Sequence, residues 1–462
     1  MNSFKKLLSI ALSLALAGFL FGTGISTNSF HALAQSNEDL TGKTVIFHTN
    51  DVHGQIYQSG SGENFKGGYA QLAGLRDEAV ANHASKVLTM DAGDFMQGSI
   101  YAAETEGDDV VNLMNQVGYD YITFGNHEFD YGKDRLDTEI AKFTNSNLIS
   151  SNIVVGSETG PFYANAYGTS PEGDQPKIGI IGIETPSVSS TSKPGNLGNL
   201  KVLSQETAVK LYDVAKQDVA MLRSQENCDI VIALTHLGVD GNYSSYMFLD
   251  NVSVDAEHKI DICLDGHSHS IVSERYDNAH NISTIVQQTG TQFQKIGKIV
   301  IDNQTKTVDS FENVGMSEST PVNAEVQAVA KNLKDGIDTK YKEVIAHSDF
   351  EFTADKEIIR KYEGNSGDLV ADSILNYALN DEAIQEAVRA VGLSADKCLC
   401  VINGGCIRNP FSGDIKREDI LNMLPFFNTV YPVEIPGNTL LEILEANTQF
   451  TPVDANGGFT QV

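Results

Sequence analysis

The chain is poor in cysteine, in basic residues and in long apolar runs. Its five cysteines (Cys228, Cys263, Cys398, Cys400 and Cys406) in 462 residues are too few for a disulfide framework. Cys398 and Cys400 read as alternate residues of a strand ending at Val401-Ile402 rather than as a redox or metal motif. Lys and Arg number 32 against 61 Asp and Glu, a formal charge of −29. Such an excess argues against nucleic-acid polymers and anionic membranes as partners. An anionic substrate would need metals and a few local cations to reverse the field at the site.

The one marked apolar run lies at the start. Lys5 and Lys6 precede Leu7–Phe21, and Ala32-Leu33-Ala34 offers a small-residue cleavage site before Gln35. This pattern predicts a signal peptide over residues 1–34, and hence export to the periplasm, cell wall or exterior. Its removal takes two lysines and no acid, moving the charge from −29 to −31. The run is short for a bilayer and no second one follows, so no transmembrane span is expected. There is also no internal repeat and no low-complexity tract.

What is present is an alternation of apolar strands and helical stretches over residues 43–318, the pattern of a layered α/β domain. Glu206–Glu226 is its clearest helix. Residues 323–342 are polar with apolar positions at Val326, Val329, Leu333, Ile337 and Tyr341, which predicts a connecting helix. Residues 345–462 begin a second α/β unit, with a helix near Leu369–Leu379 and strands near Leu399–Ile402 and Thr429–Ile435.

Five short motifs follow apolar runs: Asp51-Val52-His53, Gly93-Asp94, Gly125-Asn126-His127-Glu128, Thr235-His236 and Gly266-His267-Ser268-His269. The carboxyl ends of strands in open α/β sheets are where ligands bind, so five such ends can converge on one crevice. Asp, Asn and His without Cys suit divalent cations of intermediate hardness, Zn²⁺ or Mn²⁺. A carboxylate such as Asp94 can bridge a metal pair through its separate oxygens. His127 can serve as an acid or positive donor, with Asp130 three residues on to orient it. Singly, each motif is also an ordinary turn or a satisfied histidine. Yet of the ten histidines beyond residue 34, five fall in these motifs.

As an ordered set, with Asn50-Asp51-Val52-His53-Gly54 and Gly125-Asn126-His127-Glu128-Phe129-Asp130, they resemble the calcineurin-like metallophosphoesterases, and in particular their 5′-nucleotidase branch. The resemblance covers residues 43–462. It implies a four-layer β-sandwich flanked by helices, a connecting helix, and a second α/β nucleotide-binding domain. It implies one metal held by Asp51, His53, Asp94 and His269, and a second by Asp94, Asn126, His236 and His267. It further implies that His127, backed by Asp130, stabilises the phosphoryl group or leaving oxygen, with hydroxide at the metal pair attacking phosphorus in line.

In the second unit, Asn403-Gly404-Gly405-Cys406-Ile407-Arg408 resembles the family's substrate motif, with Cys406 replacing a glycine. Leu424-Pro425-Phe426-Phe427-Asn428 matches a segment whose ring stacks on the base; the bland alternative puts one of its phenylalanines in the core. Asn403, Gly405, Arg408 and Phe426 are therefore candidate substrate contacts. The last residues read as the start of a strand, so this domain is expected to be incomplete at Val462. The favoured function is an exported two-metal 5′-nucleotidase acting on nucleoside 5′-monophosphates and also on UDP-sugars. The alternatives are a 2′,3′-cyclic nucleotide 2′-phosphodiesterase/3′-nucleotidase, or a non-catalytic surface-binding protein on the same scaffold. Metal identity, base preference and oligomeric state are not encoded in these motifs.

Overall fold

The computed structural model describes residues 38–462, apart from 172, 174, 175, 427 and 429. The expected signal peptide over 1–34, Phe427, and the first residue of the expected strand Thr429–Ile435 lie outside the described residues.

Two six-stranded mixed sheets form the first part of the chain. One runs in the order β14-β13-β1-β2-β3-β4, with β1 Lys43–Thr49, β2 Lys86–Asp91, β3 Tyr121–Ile122, β4 Asn147–Leu148, β13 Lys295–Asp302 and β14 Thr307–Gly315. The other runs β11-β12-β10-β9-β7-β6, with β6 Tyr167–Thr169, β7 Ile178–Glu184, β9 Ile230–His236, β10 Ile262–Leu264, β11 Ile271–Asp277 and β12 Ser283–Thr289. The strands β5 Ile153–Val155 and β8 Leu200–Val202 pair separately.

Alternation along the strands builds four layers. Ile46, Leu88 and Met90 of the first sheet meet Ile180, Ile232 and Leu264 of the second in one buried cluster between the sheets. Val45 and Phe47, on the opposite face of β1, instead pack under the helices Tyr69–Ala81 and Asp108–Val117. Val231 and Ala233 of β9 likewise face the helices Leu211–Ser224 and Ser245–Val252. The strands β1, β2 and β3 are mutually parallel, as are β7, β9 and β10. Their carboxyl ends therefore share one rim of each sheet, and that rim carries all five motifs.

A helix spans Ala324–Tyr341, started by Asn323, whose Oδ1 accepts from the backbone N–H of Glu325 and Val326 at 3.0 Å. Beyond it, β15 Val344–Phe352 pairs antiparallel with β17 Phe411–Lys416, and β16 Ile402–Asn403 pairs with β18 Thr460–Gln461. The core here is small: Ile359, Val370, Ile407, Phe411, Ile415 and Met423. The helix Asn365–Asn380 contains the stretch expected to be helical.

Two sequence expectations are corrected in this part. Residues 430–435 form no strand, and Tyr431 and Val433 are 78% and 75% exposed, so the apolar pattern there has no sheet to join. Where a strand was expected over Leu399–Ile402, only Ile402–Asn403 pairs, because β18 offers two residues to pair with. Cys398 and Cys400 precede that pair as free, half-buried thiols.

Candidate metal centre and active site

The backbone at the rim is folded for side-chain placement rather than for local comfort. Asp51, His53, Asp94, His267 and His269 all have φ between 49° and 75°, the left-handed region that non-glycine residues seldom adopt. Tertiary bonds hold them there. Asp51 N–H donates to Gly93 O at 2.9 Å and His53 N–H to Asp94 O at 2.9 Å, lacing the first two loops together. Asn50 locks the first loop to the end of β12, accepting from Thr289 N–H at 2.8 Å and donating to Gly290 O at 2.9 Å.

Glu128 binds the next pair of loops. Its fully buried carboxylate accepts from the backbone N–H of Gly125 at 2.6 Å, Asp94 and Phe95 at 2.8 Å, and Met96 at 3.1 Å. Asp94 in turn accepts from His127 N–H at 2.8 Å. The approach of these loops requires glycine at 125: a Cβ there would lie 2.3 Å from Asp94 Oδ1. On the other side, Asp265 accepts from Thr235 Oγ1 at 2.8 Å and Leu237 N–H at 2.9 Å, tying the ends of β9 and β10.

The seven expected ligands converge. His269 Nε2 lies 3.3 Å from Asp51 Oδ1 and 2.9 Å from His53 Nε2. His236 Nε2 lies 3.1 Å from Asp94 Oδ2, and His53 Nε2 lies 3.9 Å from the same oxygen. His267 Nδ1 lies 2.8 Å from Asn126 Oδ1, and its backbone N–H donates to Asp51 Oδ2 at 2.9 Å. Asp94 Oδ2 thus stands between a histidine of each expected set. Asp51 Oδ1 is nearly as central, at 3.9 Å from both His53 and His236 Nε2.

The donor set fits divalent cations. His53 Nδ1 and His236 Nδ1 lie 2.9 Å and 2.6 Å from the backbone carbonyls of Gln97 and Ala92, so each donates there and presents Nε2 as a lone pair. His236 Nε2 is buried and faces the Asp94 carboxylate. Burial, joined by neighbouring histidines, keeps His53 and His267 neutral, with pKa values pushed down to about 3 and about 4. Burial also opposes charge on His236, but Asp94 and Asp51 outweigh it and raise its pKa well above the ordinary value. The two carboxylates call for positive charge between them.

Beside the ligands, His127 Nδ1 donates to Asp130 Oδ2 at 2.6 Å. Burial disfavours a charged imidazole here, but Asp94 and Asp130 overcome it and hold the pKa of His127 above its usual value. Asp130 is itself fixed, its backbone carbonyl accepting from Asn196 Nδ2 at 2.7 Å and its Oδ1 from Ser192 Oγ at 3.2 Å.

Of the four expected substrate contacts, two reach this centre. The ring of Phe426 lies 5.5 Å from that of His127, and the Arg408 guanidinium carbon lies 5.0 Å from the Phe426 centroid. Gln97 Nε2, donating to Pro425 O at 3.0 Å, ties this segment to the metal loops. Asn403 and Gly405 stay within their own part of the chain, each bonded to Gly457 O. Arg360 was not anticipated, since nothing around Ile358-Ile359 marks it. Its Nε and that of Arg408 are buried without a partner, and burial and Arg360 lower the Arg408 pKa to about 10. Two buried guanidiniums with unpartnered Nε atoms suit an anionic ligand. Glu128 and Asp265 also escaped the sequence reading as supports, although both stand inside or beside the motifs.

This fold and donor set define a metal-dependent phosphoesterase. Residues 44–270 match the family model for calcineurin-like phosphoesterases, and residues 344–462 match that for the 5′-nucleotidase C-terminal domain. The chain belongs to the 5′-nucleotidase family and carries both domains, the phosphoesterase one first. It is 26% identical to the trifunctional nucleotide phosphoesterase YfkN of Bacillus subtilis (strain 168), over 90% of this chain but 28% of that protein's length. It is also 26% identical to the 5′-nucleotidase of Bos taurus, over 90% of this chain and 74% of that protein. Among solved structures, the 5′-nucleotidase precursor of Thermus thermophilus superposes with a TM-score of 0.73 at 22% identity, covering 91% of this chain and 80% of that one. That likeness is one of fold. Divalent metal ions follow from the family and the donor set together. Among the described residues no helix is long and apolar enough to cross a membrane.

Proposed function

We propose that the protein is an exported 5′-nucleotidase that hydrolyses nucleoside 5′-monophosphates to nucleoside and phosphate, and takes UDP-sugars as further substrates. The supporting observation is the placement of the His127–Asp130 pair between the converged ligands and the Arg408–Phe426 pair. Asp51, His53, Asp94 and His269 would hold one cation and Asp94, Asn126, His236 and His267 the other. When bound, such a pair supplies Lewis acidity toward the phosphoryl oxygens and water acidified to near-neutral pKa.

The chain's own residues do the rest. Arg408 and Arg360 attract the phosphate against the protein's overall negative charge, and Phe426 offers an aromatic surface to the nucleoside. His127, held charged by Asp94 and Asp130, donates a hydrogen bond to the oxygen that gains charge as the P–O bond breaks. Asp130 keeps the proton on Nδ1 and so fixes the direction of Nε2. Glu128 holds the Asp94 loop in place throughout.

The test is product release by the full chain loaded with Mn²⁺ or Zn²⁺: phosphate from AMP and 3′-AMP, the monoester from cyclic 2′,3′-AMP, and UMP with sugar phosphate from a UDP-sugar. Preference for AMP supports the proposal. Preference for 3′-AMP and the cyclic ester would assign the alternative phosphodiesterase activity, and no release from any would return the protein to a binding role.

A further inference from the structure

A cleft of about 600 Å³ opens beside the metal centre and touches it at His267. Its walls come mainly from three segments at the motif-bearing rim of the second sheet, with Glu158 added from the loop after β5. Thr185, Pro186 and Ser187 follow β7; Ser204, Glu206 and Thr207 precede the helix Leu211–Ser224; Asp240 and Tyr243 follow β9. None of His127, Arg408 and Phe426 lines it. A volume of this size lies in the range of small-molecule sites, ~300–1,000 Å³, and far exceeds what a phosphate group fills.

The lining has a definite chemistry. Ser187, Ser189, Ser190, Ser204 and Thr207 line it with hydroxyls; those of Ser189, Ser190 and Thr207 donate to carbonyls of their own loops, which leaves their oxygens as acceptors. Glu158, Glu206 and Asp240 add three carboxylates, and no lining residue is Lys or Arg. Tyr243, half-buried against the core beneath the second sheet, brings a phenol ring to the lining. A lining rich in acceptors suits a group with many hydroxyls of its own to donate. A carboxylate or second phosphate at the far end of the cleft would meet like charge from these three side chains, with no Lys or Arg among the lining residues to offset it.

We propose that this cleft is a subsite for the far arm of a nucleoside diphosphate ester, and that it selects a neutral, polyhydroxylated arm over an anionic one. The inference rests on the nucleotidase reading above and adds to it where the second arm lies and what distinguishes good arms from poor ones. With the phosphoryl groups at the metal centre and the nucleoside toward Phe426, the cleft at His267 is left for the remaining substituent. Hydrolysis adds one water across the P–O–P bond. The hydroxyl joins one phosphorus, the bridging oxygen leaves with the other phosphate, and the remaining proton passes to solvent, giving a nucleoside monophosphate and a sugar phosphate.

The experiment uses the metal-loaded full chain with UMP, UDP-glucose and UDP-glucuronate, which differ at the arm by a neutral or a charged terminus. UDP-glucuronate should show a KM about tenfold or more above that of UDP-glucose, because three carboxylates oppose it. The double variant Glu206→Gln/Asp240→Asn should shrink that ratio to about two- to threefold, with UMP hydrolysis unchanged. Asn242→Trp, which places bulk at the exposed mouth, should raise KM for UDP-glucose and leave UMP alone. Equal KM values for the two UDP-sugars, or no hydrolysis of UDP-glucose while UMP is hydrolysed, would overturn the subsite and leave the nucleotidase reading standing. A CDP-choline KM well below that of CDP-glucose would overturn the assigned ligand class. Failure to hydrolyse UMP removes the nucleotidase reading and the subsite with it.

Discussion

Glu128 accepts the backbone N–H of Asp94 at 2.8 Å, so the carboxylate expected to bridge two cations is itself positioned by another carboxylate. The same Glu128 oxygen accepts from Gly125 at 2.6 Å, which locks the ends of β2 and β3 together. Glu128→Gln keeps the size but turns an amide group toward backbone N–H donors. One or two of those buried donors lose their acceptor, at about 1–3 kcal/mol each. The variant should unfold at lower temperature and bind metal less tightly, measured by thermal melts with and without Mn²⁺. An unchanged melt in both conditions would show that Glu128 does not organise the loops.

His127 lies beside the ligand sets but its Nδ1 is committed to Asp130, leaving only Nε2 to face the reaction. His127→Ala should therefore lower turnover ~10²–10⁴-fold while bound metal stays near two per chain. Metal content by mass spectrometry alongside turnover separates this from a ligand role, in which a metal would be lost. Asp130→Asn should lower turnover less, and should move the alkaline fall in activity to lower pH, because the imidazolium loses one of the two carboxylates that sustain it.

Asp94→Asn should strip both metals and nearly all hydrolysis. The structure puts Asp51 Oδ1 almost as centrally, so Asp51→Asn is the informative comparison. If Asp94 is the shared ligand, Asp51→Asn should lose one metal first on dialysis, whereas the Asp94 variant should lose the two together. The reverse order would exchange their roles.

A pH effect on stability is expected away from the site. Asp218, in the helix Leu211–Ser224, is buried, and burial raises its pKa to about 6, with Oδ2 lacking a partner. Between the ordinary carboxylate value and pH 6 the folded state binds more protons than the unfolded one, so stability falls as pH rises through this window. In Asp218→Asn that loss disappears. The difference in unfolding free energy between the two proteins should shift by about 2–3 kcal/mol in the variant's favour from pH 3.5 to pH 7, read from urea titrations. A constant difference would mean that Asp218 is hydrated.

The candidate metal ligands could be singled out in the sequence because they obey a local rule: each sits at or just after the end of an apolar strand, and the strand pattern is itself periodic. The helix Ala324–Tyr341 was legible through the helical spacing of its apolar positions, among them Val326 and Ile337. What escaped depends on pairing at a distance. Glu128 shows no local sign that it will bind the loop after β2, and Arg360 reaches the site only because its segment packs against Gly404 and Cys406. The residues at 430–435 have strand-like composition, yet composition does not supply a neighbouring strand. Asn403 and Gly405 stand out by motif, but their bonds to Gly457 O depend on a segment some fifty residues on that the motif does not announce.

The most direct test of the two-metal account is a titration of chelator-treated protein with Mn²⁺, following phosphate release from AMP at each step. The arrangement of Asp51, His53, Asp94, Asn126, His236, His267 and His269 predicts almost no release without metal and full release at two equivalents per chain. Release that is complete at one equivalent, or that proceeds equally well in metal-free protein, would contradict it.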